Sequence, residues 1–351
     1  MTFYFLLPNL GVGGAERVSA RLAHILKEAG GDVRFICLCG EGESSNDWLS
    51  GDFKVSFLHS SRVFSSLFRL WRFLRHHRDT QLFSTHEHVS IVALLVGKLL
   101  GIPVIVRMPT MPSNKLYSGL TGLKWHIIHF TNRWLLPQAK YVVAQTDEMR
   151  KQVIERYHLP ENQVVTINNP VDAADIRSRA ADAPNPFKGS RPHFLFVGNI
   201  SISKGVDTLV EAFHQVRHQL PSAHLTIVGR NDSAYACDLL GRLDIDESIS
   251  FAGFQSNPYP YMKHCDVFVL SSRMEGFPNV LLEAMCFDKP VACTTCVPII
   301  RQLVKPGVNG YHCNIEAPSE LARCMVEATS LHDIHNRYDL FDKARFVQLF
   351  Q

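Results

Sequence analysis

Two glutamates with seven residues between them, Glu275 and Glu283, bracket the run Ser271-Ser272-Arg273-Met274-Glu275-Gly276-Phe277-Pro278-Asn279-Val280-Leu281-Leu282-Glu283-Ala284-Met285. An apolar stretch at 266–270 precedes the run and reads as a strand. A glycine-containing loop follows, then a helix with Pro278 near its first position, where a missing N–H costs nothing. The free N–H groups and positive dipole end of such a helix attract an anion. Val280, Leu281, Leu282, Ala284, Met285 and Phe287 make the helix apolar on nearly every side. It is therefore expected to be buried, and the Glu283 carboxylate then needs a partner or a polar ligand. For either glutamate alone, an ordinary loop residue or an internal ion pair is a sufficient reading. Other chemistry-bearing residues are Lys204 in a loop that begins Gly198-Asn199, Gly13 and Gly14 in Asn9-Leu10-Gly11-Val12-Gly13-Gly14-Ala15-Glu16-Arg17, and the pair in His86-Glu87-His88. Two histidines at i,i+2 lack an evident third metal ligand. Cys293-Thr-Thr-Cys296 has metal-site spacing but no second pair, so no metal centre is expected.

The elements that must position these groups alternate between strand and helix. Residues 2–8 read as a buried strand, the Gly11–Gly14 loop as a turn, and the chain then enters a helix to about residue 29. Strand, Gly-rich loop, helix is the opening of a doubly wound sheet. A dinucleotide fingerprint would need glycine at 16, where Glu16 stands, which argues against an NAD site. Further strands are expected at 33–39, 55–58, 81–88, 103–107, 140–145 and 164–167. Helices are expected at 65–77, 91–100 and 123–136. Residues 108–120, with two prolines and two methionines, form a loop where a binding site commonly lies. From His193 the opening pattern returns, with a strand at 194–197, the loop to Gly205, a helix at 206–220, and strands at 225–228, 250–252, 267–270 and 290–294. A turn at 307–311 leads into a short strand, and 319–328 forms a helix. The expected architecture is α/β, with two Rossmann-like doubly wound parallel-sheet domains. Their expected extents are 1–170 and 171–332, with 333–351 as a tail.

The chain of 351 residues is 46% hydrophobic, more than one core usually takes. Residues 1–171 carry 19 Lys+Arg against 13 Asp+Glu, whereas the remainder is net acidic. Residues 53–78 and 88–146 contain six basic residues each and no acid. They interleave Arg69, Arg72, Arg75, Lys124 and Arg133 with Phe68, Trp71, Phe73, Trp125 and Trp134. Such tracts suit an anionic membrane surface, and a merely solvated face is the alternative. No nucleic-acid-binding motif accompanies the charge. The nine cysteines are scattered and mostly lie in apolar runs, as reduced core thiols do. The opening Met-Thr-Phe-Tyr-Phe-Leu-Leu reads as a first strand rather than a signal peptide, and 91–106 is too short and interrupted to span a bilayer. A cytoplasmic protein, peripheral on the inner face of the plasma membrane, is expected.

The Glu275–Glu283 run resembles the E-x7-E motif of the retaining glycosyltransferases of family 4 (glycosyl transferases group 1), which have the GT-B fold of two facing domains with an interdomain cleft. The Gly13-Gly14-Ala15-Glu16-Arg17 run, the histidine at a strand end and the Asn168-Asn169-Pro170-Val171-Asp172 crossing extend the resemblance from Gly13 to Gly310. It implies that the first glutamate, the backbone after it and the loop at Gly13 and Gly14 hold a nucleotide-sugar donor. In the same way it implies Glu283 on the ribose, Lys204 on the diphosphate, and Asn199, Gly253, Phe254, Gly276, Phe277, Pro278 and Asn279 around the donor. His86, His88 and Arg107 fall on the acceptor side, where a histidine orients or deprotonates the acceptor hydroxyl or is merely structural. Glu275, Lys204, His86 and His88 are the implied catalytic residues. Where the family has a basic residue, Asn199 stands, and Arg230 or Arg273 is a possible substitute. The Glu-Gly-Phe-Pro-Asn form implies a UDP-linked hexose or N-acetylhexosamine. The two acid-free basic tracts fall in the half that handles the acceptor in this fold, and imply a saccharide or polyprenyl-diphosphate-linked acceptor in lipopolysaccharide, capsule or related polysaccharide assembly. No cofactor and no metal are implied. A nucleotide-sugar epimerase or hydrolase of the same fold, or a homologue that binds without transferring, are the alternatives. The tail is implied to cross back to the first domain.

Overall fold

The structure, a computed structural model, describes residues 1–11, 13–40, 52–112, 122–189, 192–230, 233–243, 245–336 and 338–351, with 122–125 described by backbone alone. Part of the 108–120 loop and the side chains of Lys124 and Trp125 thus lie outside the described residues. The described residues fall into two compact units. The first holds those up to Pro170 together with Leu340–Gln351, and the second holds Val171–Asp339.

In the first unit β1 (Thr2–Leu7), α1 (Gly14–Glu28), β2 (Asp32–Cys37), β3 (Lys54–Phe57), α2 (Leu67–Leu74), β4 (Thr80–Ser84), α3 (Glu87–Leu100), β5 (Val104–Arg107), α4 (Gly122–Leu135), β6 (Tyr141–Ala144), α5 (Asp147–Tyr157) and β7 (Val164–Thr166) follow in order. Their seven strands form one parallel sheet, ordered β3-β2-β1-β4-β5-β6-β7. The central strands carry mostly apolar residues because both faces are covered. Phe5, Phe35, Phe83, Ile105 and Val143 pack on the α1 side, while Tyr4, Ile36, Leu82, Val104 and Val142 pack on the side of α2 and α3.

The second unit runs α6 (Ala173–Ser178), β8 (His193–Val197), α7 (Val206–Gln219), β9 (His224–Val228), α8 (Ala234–Arg242), β10 (Ile249–Gly253), α9 (Tyr259–His264), β11 (Val267–Leu270), α10 (Asn279–Met285), β12 (Val291–Thr294), α11 (Ile300–Leu303), β13 (Gly310–Cys313) and α12 (Pro318–Ala328). Its six parallel strands are ordered β10-β9-β8-β11-β12-β13. Phe194 and Phe196 face α7 and α12, and Leu195 between them faces the cluster of α9, α10 and α11. The last helix, α13 (Lys343–Gln348), belongs to the first unit, where Phe346 and Phe350 are buried beside Phe5 and Phe83. The fold is α/β with two Rossmann-like parallel sheets.

Two expectations need correction. The strand expected at 81–88 ends at Ser84, and His88 lies in the first turn of α3 rather than at a strand end. The helix containing Glu283 begins one residue after Pro278, which is its N-cap. Helices α5, α8 and α9 come from segments to which the sequence reading gave no element.

Candidate functional site

In an open parallel sheet, ligands bind outside the carboxyl ends of the strands where the strand order reverses. In the second unit the reversal lies between β8 and β11. The loop after β8 carries Asn199 and Lys204, and the loop after β11 carries Glu275. The two loops are stitched together. Arg273 and Met274 donate backbone N–H bonds to the Ser203 carbonyl at 2.8 and 3.3 Å, and Ser271 Oγ donates to the Lys204 carbonyl at 2.9 Å. Gly205 makes this possible. Its φ is +60°, and a Cβ there would meet the Ser271 carbonyl at 2.3 Å, so a side chain is excluded.

Across this seam Lys204 Nζ donates to Glu275 Oε1 at 2.6 Å, and Ser272 Oγ donates to the same oxygen at 2.8 Å. Both side chains are largely enclosed, at 24% and 12% exposure. The sequence therefore brings together a cation and a carboxylate 71 positions apart at the switch point of the sheet. Burial, and then the Glu275 charge, push the neighbouring Cys296 thiol well above its usual range. Nothing in its apolar sequence setting announced this proximity.

Glu283 is buried on α10, with Leu281, Leu282, Ala284 and Met285. Gly276 and Pro278 are buried between Glu275 and α10, and Asn279 is half-buried at the helix start. Phe277 packs into the core cluster with Leu281 and Met285, so its side chain is structural. Asn199 Oδ1 accepts the Arg230 backbone N–H at 3.3 Å. The Arg230 guanidinium lies 4.9 Å from the Phe254 ring centroid, in cation–π contact. Phe254 is 43% exposed and follows Gly253, whose carbonyl accepts from Gly229.

Arg273 does not substitute for the missing basic residue. Its guanidinium is committed to Asp207 by two bonds of 2.9 and 2.7 Å, to Glu316 at 2.7 Å and to the Ile202 carbonyl at 2.9 Å. It is a clamp that ties the glutamate loop to α7. Burial raises the Asp207 carboxyl, but the Arg273 hydrogen bonds outweigh it and hold the group below its usual range. A depressed carboxylate contributes stability above its unfolded pKa and loses it as pH falls through the lower folded value, so this contribution should vanish only below about pH 4. Arg273→Ala is expected to cost about 2–3 kcal/mol, because it strands two carboxylates that are only partly solvated. Urea unfolding at neutral pH checks this, with the difference from the parent shrinking in acid.

In the first unit the reversal lies between β1 and β4. Here His86 Nε2 stands 3.2 Å from Glu16 Oε1, and Ser19 Oγ lies 3.2 Å from Thr85 Oγ1. Glu16 is the third residue of α1, from where a glutamate side chain folds back over the helix start. Gly13 leaves room for this, since a Cβ there would lie 2.3 Å from Glu16 Oε2 and the carboxylate would have to shift. Burial raises the Glu16 carboxyl, but the His86 bond and charge outweigh it and lower its pKa. Glu16 was not among the sequence candidates. Its place three residues after the Gly13 N-cap is the signal that could have found it. Gly14 opens the helix. His88 is exposed, with its ring centroid 5.9 Å from that of His86. Arg107 ends β5, is 3% exposed, and donates through Nη2 to Asn169 Oδ1. Among the described residues, no group of three or more His, Cys, Asp or Glu side chains could hold a metal ion.

Comparisons with known proteins agree with this fold. Residues 12–175 match the Glycosyltransferase Family 4 domain, and residues 177–339 match Glycosyl transferases group 1. An uncharacterized glycosyltransferase of Methanocaldococcus jannaschii is 25% identical over 73% of this chain and 65% of the relative's length. The N-acetylgalactosamine-N,N'-diacetylbacillosaminyl-diphospho-undecaprenol 4-alpha-N-acetylgalactosaminyltransferase of Campylobacter jejuni is 23% identical over 96% of this chain and 92% of its own. Among solved structures, Anabaena HepE in complex with UDP and glucose has the same fold, with a TM-score of 0.76 and 18% identity over 100% of this chain and 98% of its own. Matched in each half by a glycosyltransferase family, and sharing its fold with GT-B enzymes, the protein is a homologue of the glycosyltransferases.

Proposed function

We propose that the protein is a retaining, metal-independent glycosyltransferase that moves a hexosyl or N-acetylhexosaminyl group from a UDP-sugar to a saccharide acceptor, in the fullest case one linked to a polyprenyl diphosphate. The observation that carries the reading is the Lys204–Glu275 pair at the switch point of the second sheet, ahead of a helix that buries Glu283. The chemistry follows from charge. As the glycosidic bond breaks, the sugar acquires oxocarbenium character and negative charge gathers on the departing diphosphate. A fixed ammonium and backbone N–H groups stabilise that charge without reorganising. Lys204 exchanges its bond to Glu275 for the phosphate oxygens, and Glu275, still held by Ser272, accepts sugar hydroxyls. Arg230 is the cation beside Asn199 and supplements Lys204. In the first unit His86, oriented by Glu16, acts on the acceptor hydroxyl. A relative that acts on a diphospho-undecaprenol-linked acceptor supports the lipid-linked form, and a structural neighbour bound to UDP supports the nucleotide. The reading covers lipopolysaccharide, capsule and related assembly.

The test is a thermal-shift panel of UDP, GDP, ADP and their sugars, followed by turnover in EDTA with NMR of the product anomer. A ligand at 100 times its dissociation constant adds about 2.7 kcal/mol. No shift with any nucleotide, an inverted anomer, or activity that vanishes in EDTA and returns with manganese would overturn the reading.

No described helix is long and apolar enough to cross a membrane. Peripheral docking on an anionic inner leaflet is proposed instead, through the first unit. Phe64 just before α2 and Phe68 within it, at 59% and 64% exposure, and Phe130 and Trp134 of α4, at 66% and 67%, stand in water. Arg72 of α2 and Arg78 after it are exposed. Arg69 is unsuited to test the charge, because it donates to the Leu58 and His59 carbonyls at 2.6 and 2.9 Å. Each basic residue near an anionic surface contributes about 1 kcal/mol. The protein is expected to float with phosphatidylglycerol vesicles at low salt but not with phosphatidylcholine vesicles, and Arg72→Glu with Arg78→Glu should release it. Equal partition onto both vesicle types would make this a solvated face.

A further inference from the structure

The two units each enclose an arginine, and the two are treated in opposite ways. Arg273 is neutralised by Asp207 and Glu316. Arg107 is more deeply enclosed, at 3% exposure, yet among the described residues it has no carboxylate partner. Neither Glu16, Glu87, Asp147 nor Glu148, the carboxylates on helices that open from the same sheet edge, pairs with it. Glu16 is taken by His86 and Glu148 accepts from Gln152. Among the described residues, the only group that accepts from the guanidinium is the neutral Asn169 amide.

That amide is itself held. Asn169 Nδ2 donates to Gln145 Oε1 at 3.1 Å, and Gln145 Nε2 donates to the Met108 and Pro109 carbonyls at 2.6 and 3.0 Å. The relay fixes the guanidinium from behind and leaves its charge uncompensated. Burial without a counter-charge pushes the Arg107 pKa down to about 9, so it remains a cation at neutral pH. A buried charge of this kind is costly. A merely structural role would be met more stably by an apolar side chain. Arg107 is also the last residue of β5, next to β4 and one strand from the switch point, at the edge where ligands of parallel sheets lie. A planar fork of N–H donors fits an oxyanion.

We propose that Arg107 is the receptor for an oxyanion at this edge, a phosphate group carried by the acceptor. This rests on the glycosyltransferase reading only for the word acceptor. The phosphate belongs either to a prenyl diphosphate or to a free phosphorylated sugar, and the experiment separates the two.

The probes are inorganic pyrophosphate and farnesyl diphosphate, titrated by calorimetry into the protein with UDP at saturation, so that the second unit is already occupied. The parent protein should bind pyrophosphate, and Arg107→Met should bind it at least tenfold more weakly while its UDP affinity is unchanged. Asn169→Asp should also lose pyrophosphate, because it sets a carboxylate of the same shape against the guanidinium, and it should melt no lower than the parent. Arg107→Met should likewise melt at or above the parent temperature in the absence of ligand. A farnesyl diphosphate affinity at least tenfold tighter than that for pyrophosphate assigns the phosphate to a lipid, and equal affinities assign it to a free sugar phosphate. The proposal is overturned if the parent fails to bind pyrophosphate, if either variant retains that binding, or if Arg107→Met melts well below the parent. Absence of UDP binding would instead count against the nucleotide reading and leave the pyrophosphate result to stand.

Discussion

Lys204→Ala is expected to lower kcat about 10²- to 10³-fold while changing the apparent KM for the donor much less. The ammonium faces a diphosphate whose charge grows as the bond to the sugar breaks, so its contribution is larger in the transition state than in the bound ground state. Removal of one preorganised donor at a developing charge costs on this scale. The substitution also deprives Glu275 of its 2.6 Å partner, although Ser272 still holds the same oxygen. The glutamate loop keeps its clamp from Arg273 to Asp207 and Glu316, so the variant should fold. Lys204→Arg keeps the charge and should recover part of the rate. Initial rates across donor concentrations decide the matter, and a variant with kcat within threefold of the parent would remove Lys204 from the leaving-group role.

The second large effect is on binding. Glu283→Ala is expected to weaken UDP about 10- to 100-fold, the range of one or two hydrogen bonds from ribose hydroxyls to a charged acceptor. A carboxylate on an apolar helix has few competing solvent contacts, so it is worth more there than on a surface. Glu283→Gln keeps the shape and should fall between the two. The sharper readout is 2′-deoxy-UDP. The parent should bind it distinctly more weakly than UDP, and Glu283→Ala should scarcely tell them apart. Calorimetry with both nucleotides checks this, and a variant that discriminates as the parent does would place the ribose elsewhere.

The strands were legible because parallel strands covered on both faces need continuous apolar runs, and Phe194-Leu195-Phe196 or Ile105-Val106 can hardly be read otherwise. The loop-to-helix glutamate run was legible because it combines a turn glycine, a proline at the helix entrance and an apolar helix with one carboxylate. The rest depended on contacts that sequence spacing does not encode. Helix α5 buries only Met149, Val153 and Tyr157, a stripe too sparse to stand out, although its Thr146 N-cap was there to be read. Arg273 looked available for phosphate because its partners lie 66 and 43 residues away. Glu16 stood out only as a departure from a dinucleotide fingerprint, and its contact with His86 joins residues 70 positions apart. Phe277 sits in the middle of the motif, yet its ring belongs to the core.

The return of α13 to the first unit has a consequence for synthesis on the ribosome. The sheet face bearing Phe5 and Phe83 is finished by Phe346 and Phe350, and Gln81 Nε2 donates to the Phe350 carbonyl at 3.1 Å. The first unit therefore emerges with an aromatic face still uncovered, and it waits while the whole second unit is translated. At translation rates of 5–20 residues per second that wait lasts on the order of ten to thirty seconds. The nascent chain is expected to expose apolar surface to chaperones over this interval, and slower translation of the second unit should lengthen the exposure.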